Sequence, residues 1–267
     1  EWMAEMSLGF IDLTLEPPMA SSWKAHPIEI RKALERHRLE AVGHTAYYLP
    51  IASPFENIRR AAVEELARCL EVFAAIGVKW MNIHPDGRAP LHPENFHVAR
   101  NLQSLEELLP LSAKLGVGLM MENIPGRFNN AAQLAQLLDS LPELGLHLDI
   151  GHCNLMAEEN TADELIAAFG DRLKHVHLHD NKGGSADLHL PLGCGTMKWE
   201  HYVKLLKRRG YDGTITLEVF TEDKSFWPTA ATCCASHGTV PPDSGGCFQG
   251  APCYRGLIRY WPVKTPN

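Results

Sequence analysis

The stretch LKHVHLHDNKGGSADLHL, from Leu173 to Leu190, holds four histidines and two aspartates in eighteen residues. Imidazole nitrogen and carboxylate oxygen together suit Zn²⁺, Mn²⁺, Fe²⁺ or Co²⁺. Taken alone, the stretch could equally be a histidine-rich surface tract. The other apolar segments decide the matter, because many of them end in a residue of the same kind. EAVGH ends at His44, VKWMNIHP at His84 and VGLMMEN at Glu122. LHLDIGH supplies Asp149 and His152, and TITLEVF supplies Glu218. Within the opening stretch, His177 has His175 and His179 two residues to either side, on the same strand face. The loop beyond adds Asp187 and His189.

The candidate metal ligands are therefore His44, His84, Glu122, Asp149, His152, His177, Asp187, His189 and Glu218. Carboxylates crowded together without a cation repel one another, and their pKa values are pushed apart. One to three bound divalent ions would remove that problem. Thiolates are absent from the ring, so a Cys-type structural zinc site is excluded there. Each residue alone reads more simply: Asp149 in DIGH as a helix cap, Glu218 as the partner of a lysine, a lone histidine as a satisfied buried group. Nine together at strand ends do not. His26, His37, His92, His97, His201 and His237 fall on helices or loops and read as surface residues. His147 lies mid-strand and reads as a core histidine, and Cys153 as a buried thiol.

The elements that must carry these residues repeat one phrase. An amphipathic helix ends near a glycine and a short apolar strand follows: AAVEELARCLEVFAAIG into VKWMNIH, LQSLEELLPLSAKLG into VGLMMEN, AAQLAQLLDSLPELG into LHLDIGH, WEHYVKLLKRRGYDG into TITLEVF. Leucine and alanine at three- and four-residue spacing give each helix an apolar stripe. Gly77, Gly116 and Gly210 stand where a helix end takes a left-handed residue. The strands look nearly continuously apolar, as in a parallel sheet buried on both faces. Strands are expected at about 9–15, 39–44, 79–84, 117–122, 145–150, 174–179 and 214–220. Alternation of this kind predicts βαβ units and an α/β, (β/α)₈ TIM barrel over residues 1–226. Seven strands are visible where a closed barrel has eight. The chain opens on EWMAEMSLG, which reads as the end of a helix, so the first strand is expected to be missing. From about Trp227 the periodicity stops, and 227–267 reads as an irregular tail rich in Cys, Pro and Gly. Its four cysteines, with His237, fit no strong zinc template.

The net charge of −7 argues against a nucleic-acid partner, since affinity for phosphates comes mainly from Lys and Arg. No apolar run reaches the ~18 residues of a membrane span, and the first residues, which lack a basic segment followed by a long apolar one, are not expected to act as a signal peptide. Cytoplasmic residence is the expectation. Strand edges left at an open seam tend to pair with another chain, so a homo-oligomer is expected as well.

The motifs GHTAYY, NIHPDG, MENIPGR, LDIGH, HVHLHDN…DLHLPLG and LEVF resemble those of the xylose isomerase-like TIM-barrel superfamily, over about Leu8 to Phe220. That superfamily includes sugar phosphate isomerases and epimerases and the endonuclease IV enzymes. Similarity to its ketose 3-epimerase branch implies one metal held by Glu122, Asp149, His177 and Glu218, with His152 touching substrate. The arginine which that branch carries after the strand-seven histidine is not found here, and Lys182 stands nearby. Similarity to its endonuclease IV branch implies three zinc ions on all nine residues. The first branch predicts an isomerase or epimerase of a small sugar or sugar phosphate. Glu122 and Glu218 would then exchange a carbon-bound proton beside a metal-polarised carbonyl. His152, Lys182, Arg127, His44 and His84 would orient the substrate. The second branch predicts a multi-zinc phosphodiesterase acting on abasic DNA. Tyr47 and Tyr48 would then stack on a base, whereas in the first branch they would wall a sugar pocket.

Overall fold

A computed structural model describes residues 8–220 and the backbone of residues 256–258. Seven parallel strands follow one another around a nearly closed barrel: β1 (Phe10–Leu15), β2 (Glu40–Thr45), β3 (Trp80–Ile83), β4 (Gly118–Glu122), β5 (Gly145–Asp149), β6 (Leu173–Leu178) and β7 (Thr214–Leu217). Helices alternate with them: α1 (Pro27–His37), α2 (Glu56–Ile76), α3 (Glu94–Leu115), α4 (Ala131–Leu138), α5 (Ala162–Phe169) and α6 (Trp199–Arg208). The chain therefore has the TIM-barrel architecture that its periodicity predicts.

Three residues depart from the expectation of an irregular tail. Gly256–Ile258 forms a short strand, β8, which pairs in parallel with β7 as the next member of the sheet. The expectations placed on His237 and the tail cysteines lie outside the described residues. Among the described residues no helix is long and apolar enough to cross a membrane.

The ends of the elements follow local chemistry. Gly77 and Gly116 close α2 and α3 in left-handed conformation, with φ of 98° and 68°, a region where a side chain costs energy and glycine does not. The segment AAQLAQLLDSLPELG gives a shorter helix than its pattern predicts. Asn130 caps the start of α4 by accepting from the Gln133 N–H at 2.9 Å. The helix then stops before Asp139, short of Pro142, which cannot continue it.

The strands are buried on both faces, but the two faces differ in chemistry. Leu146, Leu148, Val176, Leu178, Ile215 and Leu217 join Leu105, Leu108, Leu134, Leu165 and Val203 of the helices in one apolar cluster. The alternate residues His147, Asp149, His175, His177 and Thr216 point the other way and are also fully buried. The continuous apolar reading of the strands is corrected here: hydrophobic packing holds the outer layer, and the barrel interior is polar. Register aligns the polar residues in layers. His147 lies beside His175, and Asp149 beside His177.

Candidate metal centre

His177 sits at the middle of the site. Its Nε2 lies 2.7 Å from Asp12 Oδ2. Its Nδ1 lies 2.9 Å from Glu218 Oε2, 3.7 Å from Asp149 Oδ2 and 3.9 Å from Glu122 Oε1. Four carboxylates, three on β1, β4 and β5 and one just beyond β7, thus face one imidazole. Around Glu122 the same pattern repeats. His84 Nε2 is 2.9 Å from Oε2, His147 Nδ1 3.1 Å and His44 Nε2 3.6 Å, while the Asn82 amide donates to the same oxygen at 2.6 Å. A second group forms at the mouth, where Asp187 Oδ2 is 3.2 Å from His152 Nε2 and 3.1 Å from His189 Nε2. The His189 Nδ1 meets the Glu218 carbonyl oxygen at 2.9 Å, which ties the loop to the barrel rim.

All nine candidate ligands therefore converge, drawn from β2, β4, β5 and β6 and from residues just beyond β3, β5, β6 and β7. Several sets of three or four bring donor atoms within 4.8 Å of one another, among them His44–Glu122–His177, Glu122–Asp149–His152 and His152–His179–Asp187–His189. Several fully buried donor atoms make no well-aligned hydrogen bond among the described residues: Asp12 Oδ1, Asp149 Oδ2, His84 Nδ1, His147 Nε2, and also His147 Nδ1 and His179 Nε2, which stand 3.1 Å and 3.2 Å from Glu122 and Asp149. Orphaned buried polar atoms are costly unless a ligand satisfies them. Nitrogen and oxygen donors without thiolate fit a divalent ion of the Zn, Mn, Fe or Co type.

Protons partly balance the charge. Burial alone would push the His177 ring down, but Glu218 and Asp12 outweigh it and hold the ring well above its usual range. The same contest, with Asp149 and Asp187 as the carboxylates, raises His152. Burial would raise Asp149, yet His152 and His179 hold its carboxyl at about 2. For His175 burial wins: it pushes the ring down to about 4, although Asp12, 3.7 Å away, acts to raise it. It is bonded instead to two threonine hydroxyls, Thr214 at 2.6 Å and Thr216 at 2.9 Å.

Above the floor lies a cavity of ≈ 660 Å³, lined by His44, His84, Glu122, His152, Asp187, His189 and Glu218 below and by Tyr47, Ile124, Pro125 and Phe220 around the wall. Lys182 is exposed and does not line it, nor does Arg127, which packs half-buried against Gly87. The cation that does line it is Arg88. Its Nε donates to Asp86 at 2.8 Å, and Asp86 in turn accepts from the backbone N–H of Ala52 at 3.1 Å. Tyr47 walls the cavity, whereas Tyr48 does not.

The sequence reading missed Asp12, and it named His147, His175 and His179 without counting them among the candidate ligands of the polar interior. Asp12 gave no signal beyond being one carboxylate in an ordinary strand. His147, His175 and His179 did have one, since each stands two residues from a ligand on the same face. His97 is corrected too: it is fully buried under the β3–α3 connection, with Nε2 3.1 Å from the Ala89 carbonyl oxygen.

Comparison with known proteins agrees with the architecture. Residues 1–235 match the family described as xylose isomerase-like TIM barrel. An uncharacterized protein of Methanocaldococcus jannaschii is 28% identical over 195 residues, 69% of this chain and 66% of that protein, so the match spans just under two thirds of that relative. A probable endonuclease 4 of Thermotoga maritima is 24% identical over 218 residues, 71% of this chain and 75% of that protein. A fructoselysine 3-epimerase of Escherichia coli O157:H7 is 25% identical over 211 residues, 76% of each. The crystal structure of a D-tagatose 3-epimerase-like protein superposes with a TM-score of 0.76 at 22% identity, covering 85% of this chain and 86% of that one. With its barrel, its buried His/Glu/Asp clusters and a family match over most of its length, the chain belongs to the xylose isomerase-like TIM-barrel family.

Proposed function

We propose that the protein is a metal-dependent isomerase or epimerase of a small sugar or sugar phosphate. The observation that carries this reading is the placement of Glu122 and Glu218. Both line the floor of one small cavity, and both approach the same face of His177, the one bearing Nδ1. Glu122, Asp149, His177 and Glu218 would hold the ion, and its chemistry when bound is to polarise a carbonyl and a neighbouring hydroxyl of the substrate.

The chain's own residues do the rest. One glutamate takes the proton from the carbon next to the carbonyl; the C–H electron pair becomes the carbon–carbon double bond and the carbonyl π pair moves onto oxygen, giving an enediolate. The other glutamate returns a proton to that carbon or its neighbour, and the double bond collapses back to a carbonyl. His152 and His44 orient hydroxyls at the floor. Arg88, held in place by Asp86, is the group suited to an anionic substituent at the mouth. The volume of the cavity suits a small molecule, and the fructoselysine 3-epimerase likeness supports the same class.

The test is solvent-deuterium incorporation into a panel of ketoses and ketose phosphates, with the chelator-stripped chain reloaded with Mn²⁺, Co²⁺ or Zn²⁺. Glu122→Gln and Glu218→Gln should each lower exchange by at least ~10²-fold. No exchange with any sugar would refute the proposal.

The nine-residue ligand set and the likeness to a probable endonuclease 4 favour a second reading, phosphodiester cleavage of abasic DNA by clustered zinc. About three zinc ions per chain and cleavage of an abasic oligonucleotide would support it. The net charge of −7 weighs against a DNA surface.

A further inference from the structure

Among the described residues, Arg88 is the only lysine or arginine that lines the cavity, and a buried frame holds it. Its Nε donates to Asp86 Oδ1 at 2.8 Å, and its backbone N–H donates to the same oxygen at 3.2 Å. The other oxygen, Oδ2, accepts from the Ala52 N–H at 3.1 Å, in the β2–α2 connection. Behind Asp86 stands Asn101 of α3, fully buried. Its Oδ1 accepts from the Asp86 N–H at 2.9 Å, and its amide donates to the Asp86 carbonyl oxygen at 2.8 Å. Gly87 is covered from the β4 side, where Arg127 packs over it so closely that a Cβ would lie 2.5 Å from Arg127 Cδ.

The ion pair itself adds little to stability, because the Arg88 side chain is 48% exposed. What the frame fixes is a direction. With Nε committed to Asp86, the two terminal nitrogens make no bond among the described residues. They form an edge that matches two oxygens of a phosphate or a carboxylate. Arg88 follows His84 by four residues, so the two Cα atoms are at most about 14 Å apart, and His84 Nε2 stands 2.9 Å from Glu122. An arginine side chain and a sugar-sized chain bridge that span between them. Above the floor the wall carries this one cation and the carboxylate of Glu16. One guanidinium suits one oxyanion and not the row of phosphates along a nucleic acid.

We propose that Arg88, aimed by Asp86, selects ketoses whose terminal carbon carries an oxyanion, a phosphate ester or a carboxylate, over the neutral sugars. This inference rests on the isomerase or epimerase reading and narrows its substrate class. Arg88 binds the end of the molecule that does not react. Asp86 touches no substrate and acts through Arg88, as a positioning residue.

The experiment measures binding without turnover. The full chain, loaded with Mn²⁺, is titrated calorimetrically with sorbitol phosphate, gluconate and sorbitol, which have no ketone to isomerise. At least one of the two anions should bind ~10-fold or more tighter than sorbitol, as a charged hydrogen-bonded contact predicts, and the one that does identifies the oxyanion. Arg88→Met should abolish that preference. Arg88→Lys, which keeps the charge without the fork, should recover part of it. Asp86→Asn should lower the preference several-fold, whereas a merely structural role for Asp86 would weaken all three ligands alike. Equal binding of all three ligands would overturn the inference and leave the isomerase reading intact. So would a preference that survives Arg88→Met, the mark of an anion held by the metal alone. A preference lost in Arg88→Met, with no deuterium exchange into any sugar, would keep the oxyanion contact and sink the reaction it serves.

Discussion

His177 is held from two sides, and the division of labour between its nitrogens has a consequence. A histidine that binds a metal through one nitrogen commonly donates the other N–H to a carboxylate, which fixes the tautomer and raises basicity. Asp12 stands 2.7 Å from Nε2, so the lone pair of Nδ1 is left facing Glu122, Asp149 and Glu218. Asp12 does not line the cavity and so has no call to touch substrate. Asp12→Asn should weaken metal binding about 10–100-fold while leaving KM at saturating metal nearly unchanged. Competition with a chromogenic chelator measures the first effect, and initial rates at excess metal the second. Equal metal affinity in the variant would remove Asp12 from the support of His177.

At the scale of elements, α2 and α3 are joined by a charge that the apolar stripes do not reveal. Arg59 is 1% exposed, and it bonds to Glu56 and Glu107 at 2.7 Å and to Ser104 at 2.8 Å. Both glutamates are about half exposed, so they can return to water if the arginine is removed. Arg59→Ala should therefore cost about 2–4 kcal/mol, from lost bonds and an unfilled space rather than from stranded charge, read as a lowered midpoint in urea. Arg59→Met, which fills the space without the charge, should recover most of that loss.

The sequence pattern did reveal the order and kind of these elements, because leucine spacing and strand length are local properties. It also picked out nine residues that the structure brings together, because in a barrel the chemistry collects where strands end. It did not reveal how deep the polar interior runs. His147 and His175 lie one layer below the rim, and only register shows that they meet. Arg127 and Lys182 looked like substrate cations because they follow ligand motifs closely. Loop paths, which sequence spacing does not encode, put Arg88 at the cavity instead.

For the whole molecule, the metal-free barrel is a charged object balanced by protons. Burial acts to discharge His177 and His152, but the carboxylates facing them raise both rings well above the ordinary histidine value. Both therefore hold a proton more tightly than an ordinary histidine, and a metal that binds either ring must displace it. Metal affinity should rise with pH through neutrality and level off only where the rings lose their protons unaided. Calorimetric zinc titration in buffers of different ionisation enthalpy should show about two protons released per loaded chain. No release would mean that these rings are already neutral or do not bind.

The split between an apolar outer layer and a polar inner one also bears on how this chain can change over generations. Along β5 and β6, tolerance should alternate residue by residue. Substitutions at Leu146, Leu148, Val176 and Leu178 should lower the amount of folded protein and leave the turnover of the surviving molecules intact. Substitutions at Asp149 and His177 should do the reverse. A saturation library scored separately for abundance and for catalysis would show that two-residue rhythm as two interleaved combs. A lineage drifting toward a new substrate could then rewrite one comb without disturbing the other.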